Sequence, residues 1–198
     1  MNKSKVSAVL LLSVLLLVPA CKKEVVDEDK LYHDQIVGHY VATDEIPWLY
    51  GEDIDVNGDG FSYFNMSKEF CGINGFVPAW ITADIEEVER SNVFHQEFLI
   101  TITFPDYRII EIEEGKYMPI GFTYRNISLS AYRGKDHISA DRFYVPDFPG
   151  EYKVYSCEEV YAEKIRDGSF TLGVYCYLCD WSGTKLEYGT LKYHFKRQ

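Results

Sequence analysis

Apolar and polar residues alternate with a period of two through most of the chain from residue 97 onward. In 97–104, Phe98, Ile100, Ile102 and Phe104 fall on one face, the signature of a half-buried strand rather than a helix. Pro105-Asp106 then reads as a turn that sends 107–112 back antiparallel, and Gly115-Lys116 breaks the chain before 117–123. Segment 125–133 directs Ile127, Leu129 and Ala131 inward and Asn126, Ser128, Ser130 and Tyr132 outward, and Gly134-Lys135-Asp136 turns it toward 137–145. The rhythm continues through 152–164, a turn at Arg166-Asp167-Gly168, 169–178, a turn at Ser182-Gly183, and 185–195. Phe170, Leu172, Val174, Cys176 and Leu178 of one strand, with Leu191, Tyr193 and Phe195 of the last, are the expected interior. Upstream, 36–42 is a short β-prone run, and the one helical candidate is 81–90, where acidic residues dominate and the apolar stripe is thin.

Strands joined by short turns, with no alternation of strand and helix, predict an all-β domain. The expected form is an antiparallel up-and-down meander of about eight to ten strands that closes into a β-barrel or half-barrel and so removes its raw edges. The alternative is an immunoglobulin-like β-sandwich, disfavoured because the turns read as consecutive hairpins rather than Greek-key crossings. Composition agrees: 198 residues, 46% of them hydrophobic, include 16 Tyr and 12 Phe, which suit pleated surfaces. Thirty-one acidic against 20 basic side chains give a net charge of -11, which repels a phosphate backbone and excludes nucleic acid as a partner.

The amino terminus carries an address. Lys3 and Lys5 precede an apolar run over 6–18, too short to span a bilayer comfortably but of signal-peptide length. It ends in Val18-Pro19-Ala20-Cys21, which resembles the lipobox of bacterial lipoproteins. That resemblance implies cleavage after residue 20 and lipidation of Cys21, with acyl chains that hold the protein on a membrane. Loss of residues 1–20 removes two lysines and moves the net charge to -13. Residues 21–33, polar and without apolar period, form the expected flexible tether, and 34–198 a single β-rich domain. The acidic cluster after Cys21 is similar to the surface-export signal of Bacteroidetes lipoproteins, so the expected location is the cell envelope, anchored at the outer membrane.

Three features resemble the lipocalin-like lipoproteins of Bacteroidetes: Gly38-His39-Tyr40, where lipocalins carry Gly-x-Trp; the acidic Asn/Asp-Gly loop ahead of the sheet; and a closing Gly189-Thr190-Leu191-Lys192-Tyr193 strand. The resemblance implies a small lipocalin-like or calycin-like barrel.

The sharpest chemical motif is Asp53-Ile54-Asp55-Val56-Asn57-Gly58-Asp59-Gly60. Oxygens at alternate positions followed by glycine suit a calcium loop, although position 12 is Met66 or Phe64, depending on register, instead of a bidentate Glu. Weak calcium binding by Asp53, Asp55, Asn57 and Asp59, helped by Glu69, stands against an Asx-rich turn whose side chains bond their own backbone. Cys71, Cys157, Cys176 and Cys179 have no redox or zinc arrangement, since Cys176 and Cys179 lie on a strand and face opposite ways; pairing of Cys71 or Cys157 with one of them, or free buried thiols, are both open. His33, His39, His95, His137 and His194 are scattered, and neither a nucleophile elbow nor a nucleotide loop is present. Tyr32, Tyr40, Trp48, Tyr50, Phe61, Tyr63 and Phe64 crowd the front of the domain, as a ligand platform or as a barrel plug. The expected function is therefore a non-enzymatic, lipid-anchored binding or interaction module for a small-molecule, glycan or protein ligand. An envelope hydrolase acting on polysaccharide through paired carboxylates and a structural partner in an outer-membrane complex are the competing readings.

Overall fold

Tight turns set the register of the sheet. Between strands β9 (Glu159–Arg166) and β10 (Ser169–Cys179), Asp167 and Gly168 take φ of 48° and 66°, so that Arg166 pairs directly with Ser169. Two consecutive left-handed residues make the turn whose twist matches that of the strands it joins, and Asp-Gly is the pair best able to adopt it. The computed structural model of the protein describes residues 34–88, 97–133, 138–146, 150 and 152–198, all within the unit Tyr32–Gln198.

The remaining strands are β1 (Gly38–Ala42), β2 (Trp48–Leu49), β3 (Thr82–Glu87), β4 (Phe98–Glu113), β5 (Lys116–Arg133), β6 (Ile138–Ala140), β7 (Phe143–Tyr144), β8 (Val154–Tyr155) and β11 (Leu186–Arg197). Eight of the eleven described strands run antiparallel in the order β1-β3-β4-β5-β6-β9-β10-β11, and β11 pairs again with β1, Tyr40 opposite Arg197 and Ala42 opposite Phe195. The sheet is thus a closed antiparallel barrel of lipocalin-like form, not a sandwich. β2 lies on β11, β7 on β9, and β8 on the far half of β4. No helix among the described residues is long and apolar enough to cross a membrane.

The expected interior is the observed one. Phe98, Ile100, Ile102 and Phe104 of β4, Ile127, Leu129 and Ala131 of β5, the alternating residues of β10, and Leu191, Tyr193 and Phe195 of β11 are all buried. Tyr40 packs edge-on against Phe170 with centroids 5.3 Å apart, and Phe170 stacks on Phe195 at 4.6 Å, so aromatic rings fill the barrel under the β1–β11 seam. A barrel of this size is filled by its own side chains.

Two expectations are corrected. The 81–90 segment is not helical where it is described: Thr82–Glu87 is a strand paired with both β1 and β4, because ladder partners on both sides outweigh a thin apolar stripe. Nor does the chain turn at Pro105-Asp106. β4 runs unbroken through both residues, and β5 likewise joins the two segments on either side of Tyr124. Proline is tolerated there because β3 ends opposite Thr103, leaving β4 without a ladder on that side until Ile109 meets Tyr155 of β8. Asp106, far from being an exposed turn residue, is only 1% exposed. Its carboxylate accepts from Arg125 Nε at 2.6 Å, Arg108 Nε at 3.4 Å and the Cys157 backbone N–H at 3.0 Å. The turn expected at 134–136 lies outside the described residues.

Candidate functional site

The acidic loop, one short helix and the β10–β11 turn together build a groove on the outside of the barrel. The helix α1 (Met66–Phe70) starts at Asn65, whose side-chain oxygen accepts from the N–H groups of Ser67 at 3.1 Å and Ile46 at 3.0 Å. Its apolar face is held to the sheet by an aromatic cluster: Phe122 lies 4.7 Å from Phe70, 4.9 Å from Tyr107 and 5.1 Å from Phe76. The loop after the helix touches β5 backbone to backbone, Phe122 N–H donating to Asn74 O at 3.1 Å. Glycine makes that approach possible. Gly75 and Gly121 have φ of 84° and 111°, and a Cβ on either would come within 2.5 Å of Phe122 O or 2.9 Å of Asn74 O.

A β-bulge completes the floor. Arg108 pairs with Gly121 and Ile109 with Pro119, so Ile120 is an extra, unpaired residue pushed outward. The resulting groove of about 330 Å³ has apolar walls from Val56, Ile73, Tyr107, Pro119, Ile120 and Trp181. Asn57 and Asn74 supply its amides, and no Asp or Glu is among its lining residues. A second groove of about 450 Å³ lies between the end of β1 and the 3₁₀ turn Pro78–Trp80, lined mostly by small side chains and without an exposed aromatic wall.

Trp181 is the residue that gives the groove its character. It is 71% exposed, an unusual state for the largest apolar side chain, yet its position is fixed. Its backbone N–H donates to Asp55 O at 2.9 Å, and its ring rests on Gly58, where a Cβ would stand 2.7 Å from the indole Cγ. Asp180 holds the turn from below, accepting from the N–H groups of Thr184 and Lys185 at 2.8 and 2.7 Å. The Ser182 hydroxyl, together with these two N–H groups, keeps its carboxyl below the usual carboxylate value despite partial burial.

The loop expected to bind calcium is the bed on which Trp181 lies. Asp55 accepts from the N–H groups of Gly58 at 2.7 Å and Gly60 at 2.9 Å, Asn57 from Asp59, and Asp59 from Phe61. These are the bonds of an Asx-rich turn. Glu69, on α1 and fully buried, reaches back to accept from Val56 at 2.8 Å, Asn57 at 3.4 Å and Tyr63 at 2.8 Å. Asp53 stands apart from this set, its backbone oxygen accepting from Lys185 Nζ. Among the described residues no group of three or more His, Cys, Asp or Glu is arranged around a common metal position.

Other candidates disperse. Cys71 is exposed beside the groove while Cys157, Cys176 and Cys179 are buried, all four as free thiols, and burial pushes Cys179 up to about 12. His39 bonds Asp84 and His194 bonds Thr171, while Cys21, Tyr32, His33, His95 and His137 lie outside the described residues. Of the front aromatics, Tyr40 and Trp48 are buried while Tyr50, Phe61 and Phe64 are exposed. Phe61 and Tyr63 lie side by side with centroids 6.4 Å apart, and the exposed ring lining the 330 Å³ groove is Trp181. The chain matches no family model, and no curated protein or solved structure matches it.

Proposed function

We propose that this protein is a lipid-anchored, non-enzymatic binding module of the bacterial cell envelope, of the lipocalin-like lipoprotein type, held at the outer membrane through Cys21. Its ligand docks in the Trp181 groove. The observation that carries the reading is a solvent-exposed indole seated on Gly58 beside a concave apolar surface, with the Asn74 amide at its wall to orient a polar group. A rigid aromatic anchor loses little entropy on binding and offers a large contact area.

Two experiments test this. Small ligands with an apolar face and a hydrogen-bonding group, screened by quenching of intrinsic fluorescence, are expected to include binders whose affinity falls about 30-fold or more in Trp181→Ala, the loss of about 2 kcal/mol typical of a central aromatic anchor. Equal affinity in the variant would remove the groove from the reading. For the anchor, Cys21→Ser is expected to abolish incorporation of labelled palmitate and to release the chain from the membrane fraction, because acyl chains alone hold it there. A labelled, membrane-bound Ser variant would refute the anchor.

A further inference from the structure

The outer face of the barrel carries a second aromatic surface that the groove does not use. Tyr117, Tyr155, Tyr177, Tyr188, Tyr175 and Tyr161 form one row, with consecutive ring centroids 5.7, 5.1, 4.8, 6.2 and 5.5 Å apart. The row follows from register. Tyr175 and Tyr177 alternate with the buried Val174, Cys176 and Leu178 of β10, and Tyr188 of β11 is paired opposite Tyr177. Gly173, paired with Tyr161, lets that ring lie flat on the sheet, since a Cβ would stand 2.3 Å from Tyr161 Cζ.

Charges of both signs are threaded between the rings. Tyr155 donates to Glu111 at 2.9 Å, and Lys153 sits 4.5 Å over the Tyr155 ring. Burial, with the Glu158 carboxylate nearby, raises the hydroxyls of Tyr177 and Tyr188 above their ordinary value. Lys192 lies 4.5 Å over Tyr161 and donates to its hydroxyl at 2.6 Å and to Glu163 at 2.7 Å, while Arg142 stacks on the same ring and pairs with Glu159. The strip is close to charge-balanced on a chain whose net charge is -11.

That combination selects a ligand. A polyanion or an anionic bilayer finds no excess of positive charge here, and a polycation finds its carboxylates already engaged. Tyr188 and Tyr175 lie nearly parallel at 15° and Tyr175 and Tyr161 at 33°, while Tyr117, Tyr155 and Tyr177 meet edge-on or tilted. Ring faces and edges interleaved with fixed donors and acceptors suit the C–H faces and hydroxyl groups of sugars, and a row of six rings suits a chain of sugars rather than one. We propose that the tyrosine row binds an uncharged polysaccharide in extended form, at a site separate from the Trp181 groove.

Full-length protein in detergent can be run through native gels containing hydroxyethylcellulose, yeast mannan or soluble starch. Retardation by at least one of them is expected, weakened about tenfold by Tyr177→Ala combined with Tyr188→Ala and retained by Trp181→Ala. Tyr188→Ala alone, at a side chain 43% exposed, guards against misfolding of the double variant and should weaken retardation about threefold. Tyr188→Phe, which keeps the ring, should preserve it. The proposal is overturned if no polysaccharide retards the wild type or if the alanine variants are retarded equally. It is also overturned if light scattering shows a dimer that Tyr188→Ala dissociates, which would give the face to a second copy.

Discussion

Asp106→Ala is expected to lower the melting temperature by roughly 6 to 20 °C. This carboxylate has no access to water and compensates the Arg125 guanidinium at 2.6 Å while accepting from Arg108 and from the Cys157 N–H, so three donors from two strands and a loop converge on one side chain. Removing one partner of a buried ion pair costs about 3–5 kcal/mol, because the remaining charge stays desolvated. For a domain of this size each kcal/mol moves the midpoint by about 2–4 °C. Asp106→Asn keeps an acceptor for Cys157 but loses the charge, and should fall between the variant and the wild type. Thermal unfolding followed by far-ultraviolet circular dichroism measures both; a midpoint within 2 °C of wild type for Asp106→Ala would contradict the role assigned here.

Glu69→Ala should cost about 3 kcal/mol and should also strip the groove of its wall. Three backbone N–H groups of the acidic loop converge on Glu69, and each buried donor left without an acceptor costs about 1–3 kcal/mol, at the low end where the loosened loop admits water. Since Gly58 and Asp55 of that loop seat Trp181, the near-ultraviolet dichroism of the indole should collapse with the loop. Acidity gives an independent handle. Burial raises the Glu69 carboxyl above its ordinary 4.5, against the three N–H bonds that favour its charge. Between 4.5 and the raised value the folded chain binds more protons than the unfolded one, so the stability this group contributes falls as pH rises through that window. Glu69→Gln does not titrate and should flatten that slope. The same melts run in millimolar calcium and in chelator are expected to coincide, because the loop's bonds are complete without a cation; a rise with calcium would assign Asp53, Asp55, Asn57 and Asp59 to metal binding.

What could be read from the sequence was whatever short-range periodicity controls. β10 and β11 emerge within a residue or two of their ends because Phe170 to Leu178 alternate cleanly and Asp167-Gly168 dictates a two-residue turn. The single long β4 was hidden because Pro105-Asp106 is a turn signal by local chemistry; it is overruled because, among the described residues, Pro105 has a ladder partner only on its β5 side, and by two arginines beside Asp106. The acidic motif was visible as an Asx-rich turn or a calcium loop, but its contact with Trp181 was not. Asp55 and Gly58 acquire meaning from Trp181, far away in the chain, and no pattern within either segment announces the other. The tyrosine row escapes in the same way, since its members come from five strands and meet only after the register is set.

The seam between β1 and β11 also governs timing. Arg197, next to the last residue, bonds the carbonyls of Asp34 and Val37, and the Asp34 contact spans 163 positions of chain. A ribosome releases the first strand long before the last, and until β11 arrives both β1 and β10 present open edges to any neighbouring chain. Closure is therefore a late, slow, long-range event. A copy truncated before residue 186 would be left with open edges on β1 and β10, which makes β11 the strand that turns an aggregation-prone sheet into an edgeless one.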